Sequence, residues 1–298
     1  MHFHNPAISY PGGKSGLRRD FLHLFPRNQR AYYEPFLGGG SVFIAAWYNR
    51  YYDIPCYGSD LYPNLITFYR VLRDYTNPFV NLLISLLKKH EETEYKYLLR
   101  ELKIEVGREA EWLDLDFYIA TEVWCKSKLA FRALQDGSYS KASAAKYPTT
   151  QLIGSAYKLK RFALMLQRHN IHLACESVFE VLDRVVPGSF IYLDPPYYGT
   201  ESVYVENDFA HDKLASDLMS IGEGRAKWML SYADHPAVRE LYDGAHFLEL
   251  GHTWQRLSTS IYPTVGTDER REVIELLISN FELDNSRKQM SMFEEGHH

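Results

Sequence analysis

The tetrapeptide Asp194-Pro195-Pro196-Tyr197 directly follows the hydrophobic run Ser189–Leu193 and combines an acid, two prolines and an aromatic ring. Each proline fixes its backbone φ and gives up its N–H, which predicts a rigid turn whose carbonyl groups face a ligand. An exocyclic amine on a planar base suits this set, because its two N–H groups need acceptors and its ring needs a stacking partner. The tetrapeptide therefore predicts a catalytic amine-binding site, and an ordinary strand-terminating turn is the structural alternative.

A glycine-rich segment, Phe36-x-Gly38-x-Gly40, separates an earlier strand-like run from a helix-like run, in which Ser41 is the expected N-cap. Asp60 ends the next strand-like run, twenty residues after Gly40. Glycines let the backbone approach a nucleoside closely, and an acid at this spacing can accept hydrogen bonds from ribose hydroxyls. The segment predicts a site for an adenosine-containing ligand without specifying which one, and a purely structural tight turn stays open.

A second glycine-containing segment, residues 10–15, reads Tyr-Pro-Gly-Gly-Lys-Ser. Its Gly13-Lys14 pair suggests a phosphate-binding P-loop, but that motif needs a glycine separated from the pair by four residues, and this chain has Ile8 at that position. The segment also follows no strand, which excludes a nucleoside triphosphatase of that class. We expect the glycines to bring the chain close to a ligand, to which Lys14 offers an ammonium group and Tyr10 an aromatic face.

Strand-like runs alternate with helical ones along most of the chain, which predicts a doubly wound α/β sheet. The expected strands are residues 31–34, 56–59, 171–174, 190–193, 227–232, 247–250 and 273–279. Residues 78–102 and 152–169 have helical periodicity, whereas residues 135–151 predict an extended loop or hairpin. The catalytic domain is therefore expected in two parts, residues 1–70 and 151–285, separated by an insertion over residues 71–150.

The motifs occur in an order and at a spacing that resemble the Dam-type DNA adenine N6-methyltransferases. The segments that carry the resemblance are Tyr10–Lys14, Glu34–Phe43, Asp60, Cys175–Ser177, Asp194–Tyr197, Ser231–Asp234 and Glu269–Leu277. The resemblance covers nearly the whole chain up to about residue 282. It implies an α/β, Rossmann-like methyltransferase sheet with a mainly helical target-recognition insertion.

The resemblance also implies S-adenosylmethionine as cofactor and assigns residues to it. Tyr10, Lys14, Asp60 and Asp194 would contact the cofactor, and Ser177 and Val178 would lie beside its adenine. The full set of expected cofactor-binding residues is Tyr10, Gly12, Gly13, Lys14, Phe36, Gly38, Gly40, Asp60, Ser177, Val178 and Asp194. No metal ion and no catalytic cysteine are expected, because methyl transfer to an amine needs neither.

The expected reaction is methylation of adenine N6 on a base flipped out of duplex DNA. Asp194 and the Pro195 carbonyl would accept hydrogen bonds from N6, and Tyr197 would stack on the base. The same motif would also fit cytosine N4 or an adenine in RNA. A relative that binds DNA but has lost catalysis is a further alternative. Residues 120–150 do not clearly match the base-reading hairpin of the GATC-specific members, so no recognition sequence is predicted.

Positive charge is concentrated in one part of a chain whose net charge is −5. Residues 124–168 contain nine Lys or Arg and a single acid, Asp136, with aromatic residues interleaved. Such a composition suits a surface that follows DNA phosphates, although a solvated helical face would have it too. The predicted DNA-binding residues are Lys126, Lys128, Arg132, Lys141 and Lys146.

The bulk composition, 46% hydrophobic and 24% charged, is that of a globular protein with a sizeable core. No apolar stretch is long enough to cross a bilayer and no signal peptide is evident, so a cytoplasmic location is expected. The three cysteines have neither disulfide-framework nor zinc-site spacing. Residues 286–298 are expected to form a tail, whose Glu295–His298 resembles the remnant of a purification tag. A cognate restriction endonuclease is a candidate partner, and the oligomeric state is not predicted.

Overall fold

The structure, a computed structural model, describes residues 6–10, 13–89, 112–129, 148–198, 209–222, 224–254 and 271–283. Packing divides the chain into two compact units, each made of two chain segments. The first unit comprises Met1–Arg19 and Leu37–Ser177, and the second comprises Asp20–Phe36 and Val178–His298. This division does not separate residues 71–150 from the residues before them, and the proposed catalytic and target-recognition parts stay a prediction.

The described residues contain seven strands and nine α-helices. The strands are β1 (Tyr32–Glu34), β2 (Cys56–Asp60), β3 (Ile171–Cys175), β4 (Ser189–Leu193), β5 (Ala226–Ala233), β6 (His246–Trp254) and β7 (Arg271–Ser279). The helices are α1 (Arg18–Phe21), α2 (Ser41–Ala46), α3 (Pro63–Asp74), α4 (Thr76–Lys89), α5 (Trp112–Leu129), α6 (Thr149–Leu166), α7 (Val178–Asp183), α8 (His211–Ser220) and α9 (Pro236–Leu241). A 3-10 turn, Leu22–Leu24, follows α1, and a π-helical turn, Trp47–Tyr51, follows α2. None of the described helices is both long and apolar enough to cross a membrane.

The first unit combines one parallel strand pair with a group of helices. β2 pairs with β3 over its whole length, from Cys56 opposite Ile171 to Asp60 opposite Cys175. Helix α3 packs against α5 and α6, and α4 packs against α6. Side chains such as Tyr69, Phe79 and Trp124 are buried between these elements because their apolar positions recur with the helical period.

The second unit contains the other five strands, in the order β1-β4-β5-β7-β6. β1, β4 and β5 are parallel, whereas β7 is antiparallel to both of its neighbours. Every residue of β4 is buried, as expected of a central strand covered on both faces. Parallel strands end at the same edge of a sheet, and the tetrapeptide Asp194–Tyr197 follows the end of β4.

The alternation of mostly parallel strands with helices confirms the predicted α/β class. All seven predicted strands are present: β1 begins one residue later than predicted, and each of the other six is extended by one or more residues. The helix predicted over residues 152–169 is α6, which begins three residues earlier than expected. The predicted loop or hairpin over residues 135–151 is wrong at its end, because Thr149, Thr150 and Gln151 are helical, and residues 135–147 lie outside the described residues.

Candidate active site

The glycine turn between β1 and α2 is held by main-chain hydrogen bonds. The Leu37 N–H donates to the Ser59 carbonyl at 2.9 Å, and the Gly40 N–H donates to the Leu37 carbonyl at 2.8 Å. Gly38 and Gly40 have φ values of 46° and 68°, in the left-handed region that favours glycine. The predicted N-cap at Ser41 is wrong: Gly40 is the cap residue and Ser41 begins the helix.

Asp60, at the end of β2, connects this turn to the start of α3. Its Oδ2 accepts from the Gly38 N–H at 2.9 Å, and its Oδ1 accepts from the Tyr62 N–H at 3.0 Å. Burial raises the pKa of Asp60 to about 6, although the backbone N–H groups of Tyr62, Gly38 and Leu61 act in the opposite direction. A carboxylate oxygen can accept more than one hydrogen bond, so this group has the capacity to bind further donors.

Tyr10 lies against the glycine turn. A Cβ atom added at Gly38 would meet Tyr10 Cδ1 at 3.0 Å, and one added at Gly39 would meet the Ile8 carbonyl oxygen at 3.0 Å. The Gly13 N–H donates to the Tyr10 carbonyl at 3.1 Å, and Lys14 is buried. The structure therefore places Tyr10 beside Gly38, while the predicted residue Gly12 lies outside the described residues.

Asp194 is held by a chain of hydroxyl groups from neighbouring strands. Ser231 Oγ donates to Asp194 Oδ1 at 3.2 Å and is 3.1 Å from the Tyr192 hydroxyl. Since a serine hydroxyl has one proton, a Ser231 that donates to Asp194 accepts from Tyr192. Burial and the charges of Asp194, Glu275 and Glu34 raise the pKa of Tyr192 well above its ordinary value, so Tyr192 keeps the proton it donates.

Tyr197 is anchored through its hydroxyl group. The hydroxyl donates to Glu275 Oε1 on β7 at 2.5 Å, and the Glu275 side chain is buried. Burial, together with the charges of Glu275 and Asp194, raises the pKa of Tyr197 well above its ordinary value. The ring centroids of Tyr197 and Tyr232 are 5.7 Å apart, with a tilt of 39°. This position therefore combines a fixed aromatic ring with two carboxyl groups, which suits a planar ligand that gains positive charge.

Histidine and aromatic side chains extend the cluster beyond the tetrapeptide. His211 Nδ1 lies 2.5 Å from the Tyr232 hydroxyl. The exposed Tyr198 ring lies 5.2 Å from the His211 ring and 5.1 Å from the His235 ring, centroid to centroid. Neither histidine was among the predicted site residues.

The remaining predicted residues divide between the two units. Phe36 and Val178 belong to the second unit, where the Phe36 ring contacts Phe209 edge to face at 5.7 Å, and Ser177 belongs to the first. On α5, Lys126 pairs with Glu122 at 3.1 Å. The predicted DNA-binding residues outside the described residues are Arg132, Lys141 and Lys146.

The residues that hold the tetrapeptide were not predicted individually. Ser231 and Glu275 lie within two segments that carry the resemblance, Ser231–Asp234 and Glu269–Leu277, so the signal for them was present in the sequence. Tyr192 is part of the strand that precedes the tetrapeptide. What the sequence did not show is that their side chains converge on Asp194 and Tyr197.

An α/β fold with an anchored Asp-Pro-Pro-Tyr turn at the end of a parallel strand defines the class of methyltransferases that act on amino groups of bases. The family model described as "D12 class N6 adenine-specific DNA methyltransferase" matches residues 10–255. The chain belongs to this family, and it is an adenine-specific DNA methyltransferase by that membership. The predicted resemblance, activity and enzyme class are thereby confirmed.

Curated relatives cover most of this chain at modest identity. A DNA adenine methylase of Vibrio cholerae serotype O1 is 26% identical over 253 residues, which are 80% of this chain and 84% of that protein. The Type II methyltransferase M1.LlaDCHI of Lactococcus lactis subsp. cremoris is 24% identical and covers 93% of this chain and 95% of its own length. The Type II methyltransferase M.MjaIII of Methanocaldococcus jannaschii is also 24% identical, with 93% and 99% covered.

Proposed function

We propose that this protein transfers a methyl group from S-adenosylmethionine to N6 of an adenine flipped out of duplex DNA. The observation that carries the proposal is the anchoring of Asp194 by Ser231 and of Tyr197 by Glu275 after the end of β4. These contacts hold a carboxylate acceptor and an aromatic ring in fixed positions. Because the substrate is DNA, we further propose that the protein works in the cytoplasm.

The glycine turn fits the nucleoside part of the cofactor. A Cβ at Gly38 would crowd Tyr10, and two left-handed glycines bend the chain where a ligand would approach the backbone. Asp60 would accept from the ribose hydroxyls, in addition to the backbone N–H groups it already binds. Tyr10, Gly12, Gly13, Lys14, Phe36, Gly38, Gly40, Asp60, Ser177, Val178 and Asp194 are the residues that we assign to cofactor binding.

The bound cofactor supplies a methyl group on a positively charged sulfur, so the protein itself needs no nucleophile. Asp194 and the Pro195 carbonyl would accept the two N–H groups of the target amine and orient its lone pair. The Asp194 carboxylate would also stabilise positive charge as it develops on that nitrogen. Tyr197 would stack on the extruded base, and Pro196 keeps the turn rigid. The contribution of these groups is positioning and electrostatic stabilisation.

Identification of the modified nucleoside tests this proposal. Duplex DNA would be incubated with the purified protein and S-adenosylmethionine, digested to nucleosides and separated. We expect N6-methyladenine with the native chain, about 10²–10³-fold slower formation with Asp194→Ala, and an unchanged amount with Asp243→Ala, which removes an exposed acid in a turn. N4-methylcytosine, modification of RNA alone, or no product would overturn the proposed reaction.

A role in restriction and modification is a further part of the proposal. Two of the relatives named above are Type II methyltransferases, which suggests a cognate endonuclease as partner. Sequencing that maps N6-methyladenine in cells expressing the chain would identify the methylated sequence. If methylation protects that sequence from an endonuclease encoded beside this chain, the partner is identified. Methylation with no such endonuclease would favour another role.

A further inference from the structure

The outer face of α6 carries only positive charge. The helix contains Lys158, Lys160 and Arg161 and no acidic residue. Its apolar side is buried, whereas Lys158, Arg161 and the aromatic ring of Tyr157 are exposed. Because residues three and four apart lie on one face of a helix, Tyr157, Lys158 and Arg161 are neighbours at the surface.

Lys128, near the end of α5, is a further cation of the first unit. Burial lowers the pKa of Lys128 from 10.5 to about 8, and the charge of Lys158 acts in the same direction. Two like charges held together in a folded protein repel one another. An anion at this place would relieve the repulsion and stabilise the charged form of Lys128.

The charges of these four residues are not neutralised within the described residues. No carboxylate there forms an ion pair with Lys128, Lys158, Lys160 or Arg161. The ammonium group of Lys160 lies 5.9 Å from the centre of the Tyr157 ring, an interaction that leaves its charge in place. Lys126 differs, because Glu122 pairs with it at 3.1 Å one helical turn away.

We infer that Lys128, Lys158, Lys160 and Arg161, with Tyr157, form a surface that contacts the phosphate backbone of duplex DNA. We refer to these five residues as the Lys158 surface. The inference rests on the proposed function, because a duplex is the substrate proposed there. The Lys158 surface takes the place of Lys126 as the predicted phosphate contact, and it includes residues outside the predicted insertion. Such contacts increase the affinity for DNA and fix the position of the protein along the duplex, but they do not recognise the base sequence.

The dependence of DNA affinity on salt measures these contacts. Each phosphate contact contributes about −0.9 to the slope of log K against log salt. For the double variant Lys158→Gln/Arg161→Gln, we expect a slope shallower by about two and an affinity roughly tenfold lower at 0.15 M salt. The probe is a fluorescent 30-base-pair duplex, measured in two unrelated sequences, and both should lose affinity equally.

Matched variants separate a local effect from a general loss of charge. Lys126→Gln and Arg225→Gln each remove one positive charge, the first from a paired lysine and the second from the turn before β5, and both should keep the native slope. Lys158→Arg keeps the charge and should also keep the slope. An unchanged slope in the double variant, or an equal fall in Lys126→Gln and Arg225→Gln, would overturn the Lys158 surface.

Methylation of the same duplex at saturating DNA distinguishes this inference from the proposed function. If the native protein methylates the duplex and the double variant keeps both slope and affinity, only the Lys158 surface fails. If the native protein binds DNA with the expected slope but produces no methyladenine, the proposed function fails and the surface stands.

Discussion

The glycine turn and the Asp-Pro-Pro-Tyr turn each follow a β-strand, but different parts of the chain hold them. The glycine turn is defined by its own backbone: Gly38 and Gly40 have positive φ, and main-chain N–H groups bind Asp60. The tetrapeptide is held by side chains of distant strands. Ser231 is 37 residues from Asp194, and Glu275 is 78 residues from Tyr197.

This difference determines which changes each region tolerates. A turn defined by backbone conformation is strained by any Cβ atom, however conservative the substitution, because the strain lies in φ and in the space beside the glycine. A turn held by side-chain hydrogen bonds accepts a substitution that keeps shape and loses only one bond. Substitutions in the two regions should therefore fail for different reasons, and measurements of activity, stability and binding can separate these reasons.

The largest effect is expected from Asp194→Ala in the tetrapeptide. The substitution removes the carboxylate that would hold the amine and stabilise its charge, and such a loss costs about 10²–10³-fold in kcat. Ser231→Ala is the matched variant, because it keeps the carboxylate and removes only the hydrogen bonds of Ser231 to Asp194 Oδ1 and to the Tyr192 hydroxyl, and it should cost about tenfold or less. Both are measured as methyl transfer at saturating substrates, with thermal unfolding as the control. Equal losses in the two variants would contradict a direct role for Asp194.

A smaller effect is expected at Tyr197, where stacking and anchoring can be separated. Tyr197→Ala removes the ring and should weaken turnover and base extrusion, since base–aromatic stacking contributes about 1–3 kcal/mol. Tyr197→Phe keeps the ring and loses only the hydrogen bond to Glu275, so its loss should be several-fold smaller. Fluorescence of 2-aminopurine at the target position reports extrusion.

Glu275→Gln tests the same hydrogen bond by changing its acceptor. The amide oxygen of the glutamine can still accept from the Tyr197 hydroxyl, so base extrusion should stay close to that of the native chain. Stacking would be rejected if Tyr197→Phe were as damaging as Tyr197→Ala.

Regular elements were more predictable than the contacts between them. Apolar runs predicted the strands, most clearly β4, which is a central strand with every residue buried. β6 extends to Trp254, beyond the predicted end at residue 250, because its backbone continues to pair with β7 through Gly251, His252 and Thr253, which form no apolar run. The helices α7 and α9 have six residues each, too few for a periodic pattern to be recognised.

The candidate site was also predictable only in part: residues close in sequence were expected together, whereas contacts between distant strands were not. Asp60 and Gly38 were expected at one site because their spacing follows a known strand–turn–helix arrangement, and they share a hydrogen bond. The convergence of Ser231 on Asp194 depends on the register of β4 and β5, and that of Glu275 on Tyr197 depends on the placement of β7. A single sequence does not reveal register between distant strands.

Gly38→Ala should affect stability and cofactor binding together. Alanine in the left-handed region costs about 1–2 kcal/mol, and its Cβ would lie 3.0 Å from Tyr10 Cδ1. Gly154→Ala is the matched control, because Gly154 lies within α6 with no neighbouring atom within 4 Å of the added Cβ. The control should gain about 0.5–1 kcal/mol from helix propensity. Denaturant unfolding measures the stability of each variant, and calorimetry measures its affinity for S-adenosylmethionine. Unchanged binding in Gly38→Ala would argue against a cofactor site at the turn.

The smallest effect is expected from pH at Asp60, whose pKa burial raises to about 6. Ribose hydroxyls donate to the ionised carboxylate, so cofactor affinity should fall by about fourfold between pH 7 and pH 5.5 as the group gains a proton. The stability of the cofactor-free protein should change in the opposite direction. A carboxyl whose pKa is higher in the folded chain contributes stability below about pH 4, and that contribution is lost as the pH rises through 6. Asp60→Asn should remove both dependences, and a cofactor affinity that stays constant across this range in the native chain would show that Asp60 serves the turn alone.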